Sequence, residues 1–316
     1  MSSKCSIIMY HYVRELPYTR YPDIKGLRTS LFKEQLAYMQ KHYTFVRAKE
    51  IINAAWYGEE LPENAAWLTF DDAYSDHYNN VFPVLDEMGI EGAFFPPVKA
   101  ITCHEVLDVN KIHFILASGQ DIQSLIKDVY HLMDENREEY CLESNEYYYA
   151  KLAKANRFDP PEVIFLKRLL QVELPETLRW KITDVLFREY VSENEEAFSR
   201  ELYMNEDQMR CMARHGMHIG SHGYDHYWLD TLPPEKQAYE IDESLKFMER
   251  IGVDTNNWTI AYPYGAYNES LIQILKKKGC KLGLTTKVGV AEVSEGNAFT
   301  MERIDTNDIL KEQQGK

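Results

Sequence analysis

Apolar residues along this chain follow two spacings, one typical of buried strands and one typical of helices. Short runs rich in β-branched and aromatic residues predict seven strands, at 5–13, 43–46, 67–72, 91–98, 217–221, 258–261 and 282–286. Between them, apolar positions recur every three or four residues, which predicts helices at 29–42, 78–88, 206–214, 234–250 and 269–278. Strands joined by helices through short links indicate an α/β fold, a distorted (β/α) barrel of about seven parallel strands.

The pattern changes between residues 101 and 203, where helical spacing dominates and acidic, tyrosine-rich links separate the apolar runs. Continuous runs of this kind cover 121–133 and 165–189. We therefore predict a helical insertion over 101–203, acting as a lid or substrate cap, in a barrel formed by 1–100 and 204–310. The polar residues 311–316 are predicted to form a disordered tail.

Charge and cysteine content narrow the function classes. The net charge of −15 argues against a nucleic-acid or anionic-membrane surface, since both need a basic patch. The five cysteines are scattered and without CxxC spacing, which is typical of reduced thiols. The apolar run SIIMY is too short for a signal peptide and no stretch is long enough to span a bilayer, so we predict a cytoplasmic protein. The sequence leaves open whether copies of the chain form a homo-oligomer.

Candidate chemistry begins with Asp71 and Asp72, which end an apolar strand in WLTFDDAYSD. Adjacent carboxylates raise one another's pKa unless a cation lies between them, so the pair requires an explanation. At the end of a barrel strand, one could bind a metal while the other faces a reacting water. The alternative is an Asp-Asp turn with a helix N-cap at Ser75 or Asp76.

A second group comprises His222 and His226, four residues apart in SHGYDH after another predicted strand. If one helical turn joins them, both imidazoles face the same way and form, with Asp72, a site of two histidines and one carboxylate. Such a site suits a divalent metal, with Zn²⁺ preferred and Co²⁺, Ni²⁺ or Fe²⁺ as alternatives. The alternative for each histidine alone is a hydrogen-bonded core residue. Asp225, inside the same turn, is interpreted as a cap or as support for the ligands.

Three ordered motifs carry a family resemblance: TFDDAYSD at 69–76, IGSHGYDH at 219–226 and AYPYG at 261–265. In this order they resemble the polysaccharide deacetylase family, also called the NodB-homology or carbohydrate esterase 4 group. The resemblance covers roughly 5–100 and 206–305. It implies that Asp71 is the base that takes a proton from the attacking water, and that Asp72, His222 and His226 hold the metal.

The third motif implies an oxyanion site. Tyr264 matches the position whose backbone N–H stabilises the tetrahedral oxyanion in the family, and Pro263 and Gly265 shape the turn that aims it. The family's usual small residues after the Asp-Asp pair and after the first histidine are replaced by Ala73 and Gly223, which removes no ligand.

The arginine that usually opens the third motif is Ala261 here. The resemblance implies that this arginine orients the catalytic aspartate, and Arg303, late in the chain, is the candidate to supply the charge instead. The alternative for Arg303 is a surface ion pair with Glu302 or Asp305.

The family's late Leu-x-His motif, whose histidine serves as general acid, is absent, because no histidine follows His226. Candidates from elsewhere are His11, His77, His104 and His113. We select His11, at the end of the first strand, as a catalytic or substrate-binding residue; the alternative is a core histidine.

These observations lead to three functional hypotheses. The first is a metal-dependent de-N-acetylase that acts on a small or carrier-linked N-acetylated sugar. The second is a related hydrolase that cleaves a C–N bond in a formamide, cyclic imide or ureide. The third is a carbohydrate-binding relative without catalysis, although such a module need not retain Asp71, Asp72 and both histidines together.

Overall fold

The computed structural model describes residues 3–156 and 159–309, and the predicted tail at 311–316 lies outside them. Within these described residues lie nine strands: β1 (Ser3–Tyr10), β2 (Thr44–Phe45), β3 (Ala65–Asp71), β4 (Gly92–Phe95), β5 (His218–Ile219), β6 (Thr259–Ala261), β7 (Leu282–Val288), β8 (Ala291–Val293) and β9 (Met301–Asp305). The α-helices are α1 (Thr29–His42), α2 (Ala48–Tyr57), α3 (Phe82–Met88), α4 (Val98–Thr102), α5 (Asp108–Leu116), α6 (Ile122–Glu135), α7 (Asn145–Leu152), α8 (Pro161–Arg168), α9 (Glu176–Tyr190), α10 (Glu195–Leu202), α11 (Glu206–Arg214), α12 (Pro234–Arg250), α13 (Glu269–Lys277) and α14 (Thr306–Ile309). π-Helical turns at His77–Val81 and Leu169–Glu173 lie beside α3 and α8.

The described residues divide into two compact units, the first formed by residues up to Glu15, Gly26–His104 and the chain from Ser199 onward. Its sheet has the strand order β5-β4-β3-β1-β9-β7-β6, with every pair on this path parallel. Ser221 joins the two ends of the path, because it exchanges two backbone hydrogen bonds of 2.9 and 3.0 Å with β6. The predicted α/β barrel of about seven parallel strands is confirmed.

Strand β3 lies inside the sheet and is buried along its whole length. All seven of its residues are buried, as expected for a parallel strand covered on both faces. Trp67 packs edge-on against Phe95 from β4, and the Phe70 ring stacks on Phe94 at 4.8 Å. The carboxyl end of β3, where Asp71 lies, is therefore reached through a strand packed among aromatic side chains.

Strand β9 was missed by the sequence analysis, which ended the sheet at 282–286. The segment MERID carries three charged residues, so it lacks the apolar run that indicated the other strands. In the structure it lies between β1 and β7, with Met301 and Arg303 facing inward and buried. This placement brings Arg303 into the barrel.

The second unit comprises Leu16–Lys25 and Glu105–Phe198 and is helical. From the sequence, residues 16–25 were predicted to belong to the barrel. They group with the helices because the Tyr21 ring packs edge-on against Phe114 at 5.1 Å and its hydroxyl donates to the Val191 carbonyl. The helical spacing predicted over 165–189 corresponds to the end of α8, the π-turn and α9, with Pro175 directly before α9.

No helix within residues 3–156 and 159–309 combines the length and apolar composition needed to cross a bilayer.

Candidate active site

Asp71 ends β3, and the chain then turns through Asp72 and Ala73 with φ angles of 72° and 54°. Two successive non-glycine residues in the left-handed region cost energy, and such strain occurs mainly at functional sites. The turn is held by hydrogen bonds from Asp72 N–H to Phe95 O and from Met204 N–H to Ala73 O. Its effect is to send the two neighbouring carboxylates in different directions.

The alternative of a capped Asp-Asp turn does not describe these side chains. The Ser75 hydroxyl donates to the Glu201 carbonyl, and Asp76 accepts from the Val13 N–H and from Arg14. Neither caps the helix that follows, since Asp76 at its N-cap makes no capping hydrogen bond.

Asp72, His222 and His226 converge, and all three are buried. The Asp72 Oδ1 atom lies 3.4 Å from His222 Nε2 and 3.3 Å from His226 Nε2, and the three ligand atoms lie within 4.8 Å of one another. A tetrahedral Zn²⁺ with ligands at about 2.0–2.1 Å separates them by about 3.3–3.4 Å. Among the described residues, this Oδ1 is buried without a hydrogen bond. The three residues therefore fit a divalent metal.

Neighbouring groups orient these ligands. His222 Nδ1 lies 2.6 Å from the Ala261 carbonyl oxygen, which only accepts, so Nδ1 carries the proton and Nε2 keeps its lone pair for a metal. The Tyr74 hydroxyl donates to Asp72 Oδ2 at 2.7 Å, which leaves Oδ1 to face the histidines. Tyr74 was not among the site residues predicted from the sequence, although it lies only two residues after Asp72 within the first motif.

The segment that joins His222 to His226 is not the helical turn considered above. Gly223 and His226 have φ angles of 75° and 54°, so the segment is an irregular loop. Buried Glu240, on α12, accepts 2.8 Å hydrogen bonds from the backbone N–H groups of Tyr224 and Asp225 and thereby shapes the loop. Burial raises the pKa of Glu240 to about 7.

Arg303 binds Asp71 through both terminal guanidinium nitrogens, Nη1 and Nη2, at 2.9 and 2.8 Å, and is only 1% exposed. Its Nε donates to the Thr285 carbonyl, which fixes the guanidinium plane. Burial raises the pKa of Asp71, but the charge of Arg303, its hydrogen bonds and the neighbouring His222 together outweigh burial and hold that pKa below its usual value. The alternative partners are occupied elsewhere, because Glu302 pairs with Lys287 and Asp305 accepts from Asn307.

The four candidate acids have different surroundings. Half-buried His11 directly follows Tyr10, the partner of Phe70 in the parallel register of β1 and β3, so it leaves the sheet beside Asp71. His77 is fully buried and its ring nitrogen is bonded to the His11 carbonyl. His104 lines a separate cavity of about 480 Å³, and His113 belongs to the helical unit.

The turn Pro263–Gly265 follows β6, and Tyr264 adopts a φ of 58° within it. The Tyr264 ring stacks on Trp228 at 4.3 Å and meets the edge of the His226 ring at 4.8 Å. Gly265 has a φ of 72°, and a Cβ there would lie 2.3 Å from the Thr286 hydroxyl, so glycine is required. The turn therefore lies directly beside a metal-ligand candidate.

The sequence profile of the family described as polysaccharide deacetylase matches residues 58–140 and 175–283, more than half of the chain. The chain belongs to the polysaccharide deacetylase family. It is 36% identical over 102 residues to YxkH of Bacillus subtilis (strain 168), whose name places it in the same family. It is 43% identical over 61 residues to the poly-beta-1,6-N-acetyl-D-glucosamine N-deacetylase of Escherichia coli (strain K12).

These curated matches are partial. They span 32% of this chain and 36% of YxkH, and 19% of this chain and 9% of the E. coli protein. Solved structures extend the likeness of fold to nearly the whole chain. The Streptococcus pyogenes deacetylase PplD superposes with a TM-score of 0.58 at 19% identity, covering 96% of this chain and 93% of its own. IcaB from Ammonifex degensii gives a TM-score of 0.57 at 18% identity, covering 99% of this chain and 96% of its own.

Proposed function

We propose that this member of the family is a metal-dependent hydrolase that removes the acetyl group from an N-acetylated amino sugar. The observation that carries the proposal is that the two adjacent carboxylates at the end of β3 have different partners. Asp72 faces two histidines, whereas the adjacent Asp71 faces an arginine. Amide hydrolysis at a metal site needs both a ligand carboxylate and a separate base.

Asp72, His222 and His226 would hold the divalent cation, for which we propose Zn²⁺, with Co²⁺, Ni²⁺ and Fe²⁺ as alternatives. When bound, such a cation supplies Lewis-acid chemistry, lowering the pKa of a water and polarising the amide carbonyl. Because His222 donates from Nδ1 to the Ala261 carbonyl, its Nε2 is held ready as a ligand atom.

Asp71 is proposed as the general base. Arg303 keeps the pKa of this carboxyl low, so Asp71 is ionised at neutral pH and can accept a proton from water. The two parallel hydrogen bonds from Arg303 also fix the carboxylate plane. Arg303 thus takes the orienting role of the arginine that Ala261 replaces.

His11 is proposed as the acid that protonates the departing amine, since among the four candidates it combines partial exposure with a position beside Asp71 at the end of β1. We assign the oxyanion to the backbone of Tyr264, in a turn whose ring contacts His226.

The substrate is proposed to carry an N-acetylhexosamine unit, as a small or carrier-linked molecule. The name of the E. coli relative, which specifies poly-beta-1,6-N-acetyl-D-glucosamine, supports the sugar and adds a polymer to the substances to be tested. We also place the protein in the cytoplasm. Its five cysteines are free thiols, the state expected in a reducing compartment, and cell fractionation tests this placement.

The test is acetate release by the metal-loaded protein from N-acetylhexosamine monomers, carrier-linked precursors and oligomers. Asp71→Asn should keep the metal and lose about 10²–10⁴-fold in rate, whereas His222→Ala should lose metal and activity together. Mass analysis separates loss of an acetyl group from addition of water to a ring. The proposal is wrong if no substance releases acetate, or if Asp71→Asn behaves like the wild type.

A further inference from the structure

The chain that follows the Asp71–Asp72 pair turns back onto the end of β1. His77, fully buried in the π-turn, places its Nε2 atom 2.8 Å from the carbonyl oxygen of His11. Because a carbonyl only accepts, His77 Nε2 carries the proton and donates it. The base candidate and the acid candidate are thus connected through a short stretch of chain and one hydrogen bond.

The next residues of the β1 exit are held by the same segment. The Tyr12 ring stacks on Tyr74 at 3.9 Å. Asn80 Nδ2 donates to the Val13 carbonyl at 2.8 Å. Asp76 Oδ2 accepts from the Val13 N–H at 3.2 Å and from Arg14 Nε at 2.7 Å. The side chains of Asp76, His77 and Asn80 together hold the backbone on both sides of Tyr12.

The surroundings of His77 do not favour a histidine for stability. Its ring lies 5.5–5.8 Å from the rings of Phe70, Tyr74 and Phe94, an apolar setting. Burial lowers its pKa to about 4, so the ring is neutral at physiological pH. Within the described residues, its buried Nδ1 has no hydrogen-bond partner, and an unsatisfied buried polar atom costs about 1–3 kcal/mol. Phenylalanine would avoid that cost, so the hydrogen bond to His11 requires another explanation.

A π-turn is a second indication, since such turns are rare and frequently mark functional positions. Here the wider turn begins at His77, immediately after Asp76, and continues into α3. His77 and Asn80, three residues apart in this turn, bond to the carbonyls of His11 and Val13 at the β1 exit.

We propose that His77 is a positioning residue for the general acid: by binding the His11 carbonyl, it aims the His11 imidazole at the departing amine. This inference rests on the proposed role of His11. It assigns His77 no contact with substrate and no part in metal binding. Displacing a reacting group by about 1 Å is enough to cost about 10²-fold in rate, so one hydrogen bond at this point affects catalysis.

The test compares His77→Phe, which keeps ring volume and removes the donor, with His77→Gln, which retains an N–H near Nε2. On the N-acetylated sugar, kcat of His77→Phe should fall about tenfold or more with KM and bound metal unchanged. His77→Gln should stay within about threefold of the wild type. Hydrogen exchange at the amides of 12–14 should rise in the phenylalanine variant alone.

The matched control is His218→Phe. His218 is another histidine whose burial lowers the pKa to about 4, and its Nε2 lies 2.8 Å from the Thr259 hydroxyl, away from the β1 exit. Its substitution should change stability to a similar extent and leave kcat intact. Should His77→Phe fail to fold, Asn80→Asp removes the neighbouring donor to Val13 and should lower kcat severalfold.

The leaving group distinguishes positioning of an acid from a general structural effect. An aryl acetate releases a phenolate that needs no protonation, so His77→Phe should hydrolyse it at the wild-type rate. Equal losses on the amide and on the aryl ester would overturn the inference, as would full amide activity in His77→Phe or a selective amide loss in His218→Phe. If the wild-type protein releases acetate and one of these results is found, the proposed function stands and only the role of His77 is rejected.

Discussion

The buried ion pair between Asp71 and Arg303 offers the sharpest test of the site. Arg303→Met keeps most of the side-chain volume and removes the charge, so Asp71 is left as a buried carboxylate without its cation. Breaking a buried pair in this way costs about 3–5 kcal/mol, whereas a surface ion pair contributes about 0–1 kcal/mol. Both side chains are at most 2% exposed, and two hydrogen bonds of 2.8–2.9 Å join them, so we expect the larger cost.

A double-mutant cycle isolates the pair from the other effects of the Arg303→Met substitution. Asp71→Asn together with Arg303→Met removes both charges, and the double variant should be more stable than the sum of the single changes predicts. We expect a coupling free energy of about 2 kcal/mol or more, measured by urea denaturation of the metal-free protein followed by circular dichroism.

The pH dependence provides an independent check with a definite sign. The pKa of Asp71 is lower in the folded protein than its usual value of 3.8. The pair's contribution to the free energy of unfolding is therefore complete above that value and is lost as the pH falls through the folded pKa. The gap in stability between wild type and Arg303→Met should narrow in acid. A cost below about 1 kcal/mol, or a gap independent of pH, would refute a buried orienting ion pair.

Three further predictions concern other contacts of the site. Tyr74→Phe removes the hydrogen bond to Asp72 Oδ2 and should weaken Zn²⁺ binding about 10–100-fold in a chelator competition, and unchanged affinity would contradict this. Gly265→Ala, at a φ of 72° and against Thr286, should destabilise the fold by about 1–3 kcal/mol in the same urea assay. The folded pKa of His77 is about 4 against 6.5 unfolded, so stability from the neutral ring is present above pH 6.5 and is lost as the pH falls toward 4. Between pH 6.5 and 4, the free energy of unfolding of His77→Phe should fall by about 3 kcal/mol less than that of the wild type. Parallel curves for the two proteins would show that His77 titrates normally.

Several parts of this protein were predictable from the sequence because they depend on local order along the chain. Buried strands and amphipathic helices have different apolar spacings, so the α/β alternation and its parallel sheet followed from pattern alone. Asp71 and Asp72 are adjacent, and His222 and His226 are four residues apart, so motif matching was enough to select them. The structure brings Asp72 and the two histidines together, although through an irregular loop rather than the helical turn considered.

Other parts were decided by strand order and register, which apolar spacing does not encode. Arg303 and Asp71 are 232 residues apart, and they meet because the charged strand β9 lies beside β1 in the sheet. The contact of His77 with His11 likewise depends on how the chain after β3 turns back onto the end of β1. Leu16–Lys25 groups with the helical unit through contacts distant in sequence, such as that of Tyr21 with Phe114. The sequence by itself therefore determined the fold class and the metal-ligand candidates, whereas the tertiary structure decided which side chains contact the candidates for base and acid, because those partners meet only when the sheet closes.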